Sequence, residues 1–381
     1  MILKTGKKQI YSKYICFLLL CLATFLMPRD SLGLKKILLL VTVVFNINII
    51  VYEYKRNVGL FLISVVLPFF LFVISAIQIG KIFLPLTYIY FFAYFPLAFV
   101  IAKYDIDIKS IFMVVINVMT FIILVSALLD ICGVMSIYNN PLLQWLNDAG
   151  EAQVSASPYA IAKYVIFLKA SPVMIYGILV YLEKKRYILA GLVFVAVLFT
   201  GTRANIYLAI LVTVVYVFMY EPNVKLRVLL GLVCIALVLR FGATFYDKVQ
   251  MINWAKAEGD EIRFLAIESI FNSMNNSKES YLIGMGYGSK YYSLGRKGYI
   301  ENSELTYLEL VREVGIPSAI AFIVFVVAPL FKLYRKHKIE FLFWGAYLVE
   351  SVVEPFLFTS TGFCVFMMVI SVIFKEKKEV Y

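Results

Sequence analysis

Long, almost uncharged apolar runs recur along nearly the whole of this chain, each close to the length that a helix needs to cross a bilayer. A helix of about 20 apolar residues spans the hydrocarbon layer. Twelve candidate runs fall at about 14–28, 34–52, 58–79, 82–101, 110–132, 164–182, 187–201, 204–220, 226–243, 305–331, 339–357 and 359–374. Of the 381 residues, 62% are hydrophobic and 16% charged, more apolar surface than a soluble domain of this size can bury. The reading is an all-α polytopic membrane protein: a single integral-membrane domain, 1–381, with about 12 transmembrane helices. The first run follows Lys4, Lys7, Lys8 and Lys13 and ends at Leu26-Met-Pro-Arg-Asp30 without a small-residue cleavage site, as a retained signal-anchor helix would.

The net charge of +12 does not require a nucleic-acid partner, because membrane proteins gather Lys and Arg in their cytoplasmic segments. With the N-terminus inside, the inner segments hold twenty Lys and Arg, and the short outer turns hold five: Arg29, Lys35, Lys36, Lys81 and Arg203. That bias orients the chain N-in/C-in, with Lys35 and Lys36 as its worst violation. It places the loops 133–163 and 244–304, and the turn Gly201-Thr-Arg203, on the outer face. Cys16, Cys21, Cys132, Cys234 and Cys364 lie in or beside apolar runs without ligand spacing and read as small core residues. The one histidine, His337, sits in a basic loop, which leaves no His-rich metal site and no histidine base in the membrane. No metal and no cofactor is expected.

The outer loops are where chemistry belongs. In 133–163, Leu142, Leu143, Trp145 and Leu146 suit an interfacial helix. The 244–304 loop holds seven Lys/Arg and eight Asp/Glu, too balanced for a polyanion trap. Within it Phe264, Ile267 and Phe271 share a helical face, which predicts a short amphipathic helix lying on the membrane domain. Arg203 stands in a three-residue turn. Its planar guanidinium suits phosphate or carboxylate, Thr202 adds a hydrogen bond, and the plain alternative is an interfacial anchor. Arg263 follows Glu258, Asp260 and Glu261, and a surface ion pair with one of these is its plain alternative. Gly284-Met-Gly-Tyr-Gly288 lacks the strand–turn–helix setting of a dinucleotide site. It reads as a sharply bent backbone, able to offer N–H groups to an anion. Glu301-Asn302 precedes the tenth run, and a carboxylate there is positioned to take a proton from a hydroxyl. A helix-end acid is the plain alternative. Arg312 enters the tenth run. Glu350 and Glu354 lie four apart on the eleventh, where ionisable groups should face a partner or a wet cavity, for example Glu354 with Arg240 or Lys169.

Taken together these elements resemble the O-antigen polymerase and ligase superfamily. Gly201-Thr-Arg203 before an apolar helix resembles its [ST]-x-[ST]-Arg turn. Ile262-Arg263 followed by Gly284-Met-Gly-Tyr-Gly288 resembles its R…W…G-x-G-x-G loop. Glu301-Asn302-Ser303, Tyr307-Leu308, Glu313 and Gly315-Ile-Pro317 resemble its H-N-x-Y-L…E-x-G-x-x-G stretch. The motifs cover about 200–320. The resemblance implies an integral-membrane glycosyltransferase of C-type architecture in the bacterial cytoplasmic (inner) membrane, active on the outer face, serving lipopolysaccharide or capsule synthesis. It implies a polyprenyl-diphosphate-linked glycan as donor and acceptor, no metal, and a chain-length regulator and a flippase as further partners. Arg203 and Arg263 then hold the diphosphate, with Thr202, Gly286, Tyr287, Asn302 and Arg312 lining the site and Glu350 and Glu354 as cavity carboxylates. Two departures stand out: Glu301 occupies the place where the ligases carry histidine, and Ser318 the last small position. The first favours a repeat-unit polymerase, with Glu301 as the base, over a ligase. A transporter or flippase of lipid-linked sugars is the alternative from another class. It would show inverted repeats and broken midplane helices, and the sequence has no such repeat.

Overall fold

Apolar helices make up most of the protein, whose computed structural model describes residues 2–79, 86–156, 164–220, 224, 227, 257–275 and 278–379. In order these are α1 (Ile2–Leu26), α2 (Leu34–Val44), α3 (Ile47–Arg56), α4 (Val58–Ile79), α5 (Leu86–Lys103), α6 (Ile108–Ile131) and α7 (Pro141–Asp148). The hairpin β1 (Ala152–Ala156) and β2 (Tyr164–Leu168) follows, then α8 (Met174–Glu183), α9 (Tyr187–Phe199), α10 (Arg203–Tyr220), α11 (Ala257–Met274) and α12 (Glu279–Ile283). A second hairpin, β3 (Tyr291–Ser293) and β4 (Gly298–Ile300), leads into α13 (Thr306–Lys336), α14 (Lys338–Glu350) and α15 (Ser360–Glu379). The candidate run at 226–243, with Arg240, and the loop residues 157–163 and 244–256 lie outside the described residues.

By length and composition α4, α6, α10 and α13 are able to cross a membrane, and the bent pair α2–α3 makes a fifth if it is one span. The chain is a multi-pass membrane protein. Several runs differ from their sequence reading, each for a local reason. The run at 34–52 bends by 61°. Asn46 at the bend bonds back to the Thr42 carbonyl at 2.7 Å and accepts from Lys13 Nζ at 2.8 Å, which interrupts the helical ladder. In α4, residues Leu62–Val66 are π-helical; Pro68 lacks the N–H that the Ser64 carbonyl would accept from, and the register shifts ahead of it. The run at 164–182 opens as a strand, because Tyr-Val-Ile-Phe-Leu favours extended backbone and pairs antiparallel with β1. The chain is mostly helical, as the all-α reading expects, with two short antiparallel strand pairs among the described residues. The run at 339–357 ends as a helix at Glu350.

The chain divides into two compact units, Met1–Val115 with Ile262–Tyr381, and Ile116–Glu261. In the first, α5 and α15 pack through a ladder of aromatics four residues apart. Phe91 meets Phe363 at 5.3 Å between centroids, Phe95 meets Phe366 at 6.1 Å, and Phe99 meets Phe374 at 5.0 Å. Lipid tails are as apolar as these rings, so shape and quadrupole matching hold the helices rather than water exclusion. Lys35 is buried in this unit, donating to the Pro28 carbonyl and to Ser360 Oγ at 2.9 Å. It is a satisfied internal cation, which is how a buried ammonium group is tolerated. In the second unit α8 is buried on every side from Met174 to Leu182. Gly177 admits Ile116 so closely that a Cβ would stand 2.6 Å from its Cγ2.

Candidate functional site

The site-bearing part of the first unit is organised by a break in α13. Gly315 adopts φ 79°, ψ 164°, a region reserved for glycine, and residue 317 is a proline without an N–H. The Arg312 and Glu313 carbonyls therefore lose their helical donors. The N–H of Met285 takes the first at 2.7 Å, and that of Gly286 the second at 3.0 Å. The two backbones touch: a Cβ on Gly284 would stand 2.3 Å from the Glu313 carbonyl oxygen, and one on Gly315 2.3 Å from that of Leu282. Tyr287 N–H donates to Ser75 Oγ, and Gln78 Nε2 to the Gly284 carbonyl at 3.2 Å. The expected anion nest is thus corrected. Met285, Gly286 and Tyr287 direct their N–H groups into the protein, and the glycines are there because only they permit the contact. Tyr287 is buried against Leu310, Val314 and Ala319 instead of covering an open site. Burial lifts its phenol well above the usual value, and Glu313 adds to the rise.

Arg312 is fully buried. Nε donates to Glu309 Oε2 at 2.6 Å, Nη1 to the Ser289 carbonyl at 3.0 Å and Oγ at 2.5 Å, and Nη2 to the Glu301 carbonyl at 2.7 Å. Its guanidinium also lies 4.7 Å from the centre of the Tyr291 ring. Glu309 accepts in turn from Tyr291 Oη and Ser303 N–H, both at 2.6 Å. This pair, three residues apart on α13, clamps the hairpin and the 301–305 segment to the helix. Burial, then Glu309, hold the Tyr291 phenol high. Asn302 directs its amide nitrogen to Glu313 Oε1 at 3.1 Å and the Glu301 carbonyl at 2.9 Å. The Glu301 side chain is exposed, with Lys290 Nζ at 3.6 Å.

On α11 the buried face is Ala266, Ile270 and Met274, packed on Tyr291 and Leu305. Of the face read from sequence, Ile267 packs against this cluster, while Phe264, 72% exposed, and Phe271 point away. The same packing holds Arg263 half-buried. Its Nη2 and Nε reach Glu304 Oε2 at 2.9 and 3.2 Å, and Nη2 also reaches Glu354 Oε1 at 3.2 Å. Arg296 Nη2 stands 3.6 Å from Glu304 Oε1. So Arg263 pairs with carboxylates distant in sequence, and Glu354 with Arg263; Arg240, a partner expected for Glu354, lies outside the described residues. Glu350 ends α14 fully buried, and neither carboxylate oxygen has a hydrogen-bond partner among the described residues.

In the second unit Gly201 (φ 67°) makes the tight α9–α10 turn, and a Cβ there would meet Val165 at 2.6 Å. Arg203 Nη2 bonds Asp260 Oδ1 at 2.6 Å. Thr202 Oγ1 lies 3.3 Å from Thr200 Oγ1, and buried Asn205 reaches Ser171 Oγ at 3.3 Å. In the 133–163 loop, Asn140 caps α7 by accepting from Leu142 and Leu143 N–H at 3.1 and 3.3 Å, with Pro141 in the first turn. Leu143 and Leu146 are buried, and Leu142 and Trp145 face outward.

Sequence reasoning missed Glu304, Glu309, Arg296 and Asn205 as partners. The spacing of Glu309 and Arg312 was a visible signal for a helix-face ion pair. The partners of Arg263 had no local signal.

Residues 188–323 match the model of the family described as O-antigen ligase, Wzy_C. Over that segment the resemblance to the O-antigen polymerase and ligase superfamily holds. It includes Arg203, Arg263, the glycine cluster, Glu301, Asn302 and Arg312, and leaves Glu350 and Glu354 outside. No curated protein matches the chain.

Proposed function

We propose that the protein is a polymerase that joins polyprenyl-diphosphate-linked oligosaccharide repeat units on the outer face of the bacterial cytoplasmic membrane. The observation that carries this reading is Arg263. It is half-buried on a helix of the matched segment and shared by the carboxylates of Glu304 and Glu354, at 2.9 and 3.2 Å. An arginine paired with partly exposed carboxylates can exchange them for a diphosphate, whose charge and bidentate geometry suit it better. Arg203 is assigned the same role on the sequence resemblance alone, with Thr202 beside it.

In the proposed reaction an acceptor sugar hydroxyl attacks the anomeric carbon of the donor. The bond from that carbon to the diphosphate oxygen breaks, and the polyprenyl diphosphate leaves with its new charge stabilised by arginine instead of a metal ion. The hydroxyl proton passes to a carboxylate. Glu301 is assigned this role because its side chain is exposed and meets Lys290, whereas Glu304 and Glu354 are engaged in holding Arg263. The reading takes twelve spans, both termini in the cytoplasm, the 133–163 and 244–304 loops outside, and a flippase and a chain-length regulator as partners.

Glu301, in the place where the ligases carry histidine, favours a polymerase. The matched family's own description favours a ligase, which would move finished glycan to another acceptor. Gel analysis of surface and lipid-linked glycan from a deletion strain separates them. A polymerase deletion leaves single units; a ligase deletion leaves long lipid-linked chains. Arg263→Ala should make normal amounts of protein and no polymer, and long polymer persisting in that variant would sink the proposal.

A further inference from the structure

The outward face of the β3–β4 hairpin differs from the other exposed apolar surface of its unit. Strand alternation sets Tyr291 and Ser293 inward and Tyr292 outward. Tyr299 stands opposite Tyr292 across the ladder, and the rings lie 5.6 Å apart at 77°. Tyr292 is 49% exposed and Tyr299 75%. Elsewhere the large exposed side chains are mostly Leu, Ile, Val and Phe on apolar helices, which suit lipid. On this hairpin they are two tyrosines, flanked in sequence by Lys290, Arg296, Lys297 and Glu301. A cross-strand aromatic pair stabilises a hairpin by about 0.2–1 kcal/mol. An aliphatic pair ties strands as well, so strand pairing alone does not explain two exposed tyrosines.

We infer that Tyr292 and Tyr299 form a stacking platform for the sugar chain of the lipid-linked glycan. The inference rests on the proposed function and extends it to a glycan subsite. A pyranose has a flat C–H face ringed by hydroxyls. The C–H face packs on an aromatic face, and the hydroxyls find charged partners around it. Two rings at a steep angle offer faces for successive sugars. Ion pairs link the turn of this hairpin to Arg263. Arg296, in the turn of the same hairpin, pairs with Glu304 at 3.6 Å, and Glu304 holds Arg263 at 2.9 Å. A glycan whose diphosphate rests on Arg263 therefore has its sugars beside the hairpin.

The test compares surface-glycan ladders from a deletion strain carrying, at matched membrane levels, wild type, Tyr292→Leu with Tyr299→Leu, or Tyr292→Phe with Tyr299→Phe. Leucine keeps an apolar cross-strand contact and removes the flat rings; phenylalanine keeps the rings. The platform predicts that the leucine pair at least halves the modal chain length and that the phenylalanine pair keeps it. A wild-type ladder from the leucine pair, or an equal defect in both pairs, overturns it. So does a ladder of unchanged length whose amount falls with the inserted protein, which would assign the tyrosines to membrane anchoring. If the leucine pair does not accumulate, Tyr299→Leu alone gives the same reading. Arg263→Ala is run alongside. Polymer persisting there removes the polymerase reading itself, whereas loss there with a wild-type leucine ladder removes only the platform.

Discussion

Two arginines of the same unit, both bound by glutamates, have opposite characters. Arg312 is sealed, with donors to Glu309, Ser289 and the Glu301 carbonyl and a tyrosine ring against its plane. Arg263 is half-open, and its partners Glu304 and Glu354 are partly exposed as well. Removing one member of a buried pair strands the other charge in a medium that cannot solvate it. Removing one member of an exposed pair lets water take its place. The first arrangement clamps the hairpin to α13; the second leaves a cation partly open to water. Both look alike in sequence, an arginine a few residues from an acid.

The largest effect that would break this comparison is at the sealed site. Arg312→Ala should cost about 3–5 kcal/mol, the range for an orphaned buried charge, and Glu309→Ala a similar amount. Membrane levels and thermal unfolding in detergent measure this; a stable Arg312→Ala protein would show that the clamp is not needed. Next comes the seam beneath it. Gly315→Ala forces a side chain into a glycine-only region, about 1–3 kcal/mol from strain alone, and presses it on the Leu282 carbonyl. Its unfolding temperature should fall well below that of Gly259→Ala, a helical glycine with open space around its Cβ position. At the open site the effects move from stability to activity. Glu301→Gln should keep the unfolding temperature and slow polymer formation by about 10²–10⁴-fold, the usual contribution of a general base. A wild-type rate would remove Glu301 from the mechanism. Glu354→Gln is the mildest: under about 1 kcal/mol in stability, and a several-fold loss of polymer as Arg263 loses a charged partner.

Other contrasts show how far the chain could be read in advance. The tight turn at Gly201 and the amphipathic helix Pro141–Asp148 follow from local spacing, and the structure contains both. The Gly284–Gly288 cluster bends as its glycines predict, but its Met285 and Gly286 N–H groups go to carbonyls rather than to an anion. Nothing near it in sequence announces that the Arg312 and Glu313 carbonyls need its N–H groups. The face of α11 differs in part from its sequence reading for the same reason. Phe264 and Phe271 are larger than Ala266 and Ile270, but the tight approach of Tyr291 and Leu305 favours the smaller pair.

What the sequence by itself determined is the solvent of the fold and a resemblance, over residues 188–323, to the O-antigen ligase family. Long apolar runs cannot be satisfied in water, and ordered short motifs keep their spacing whether or not their contacts are known. Which arginine is structural and which is open was decided only by tertiary packing. A guanidinium's role depends on how much water and how many acceptors surround it. For Arg312 and Arg263 those acceptors come from segments brought together by the break at Gly315 and the packing of α11.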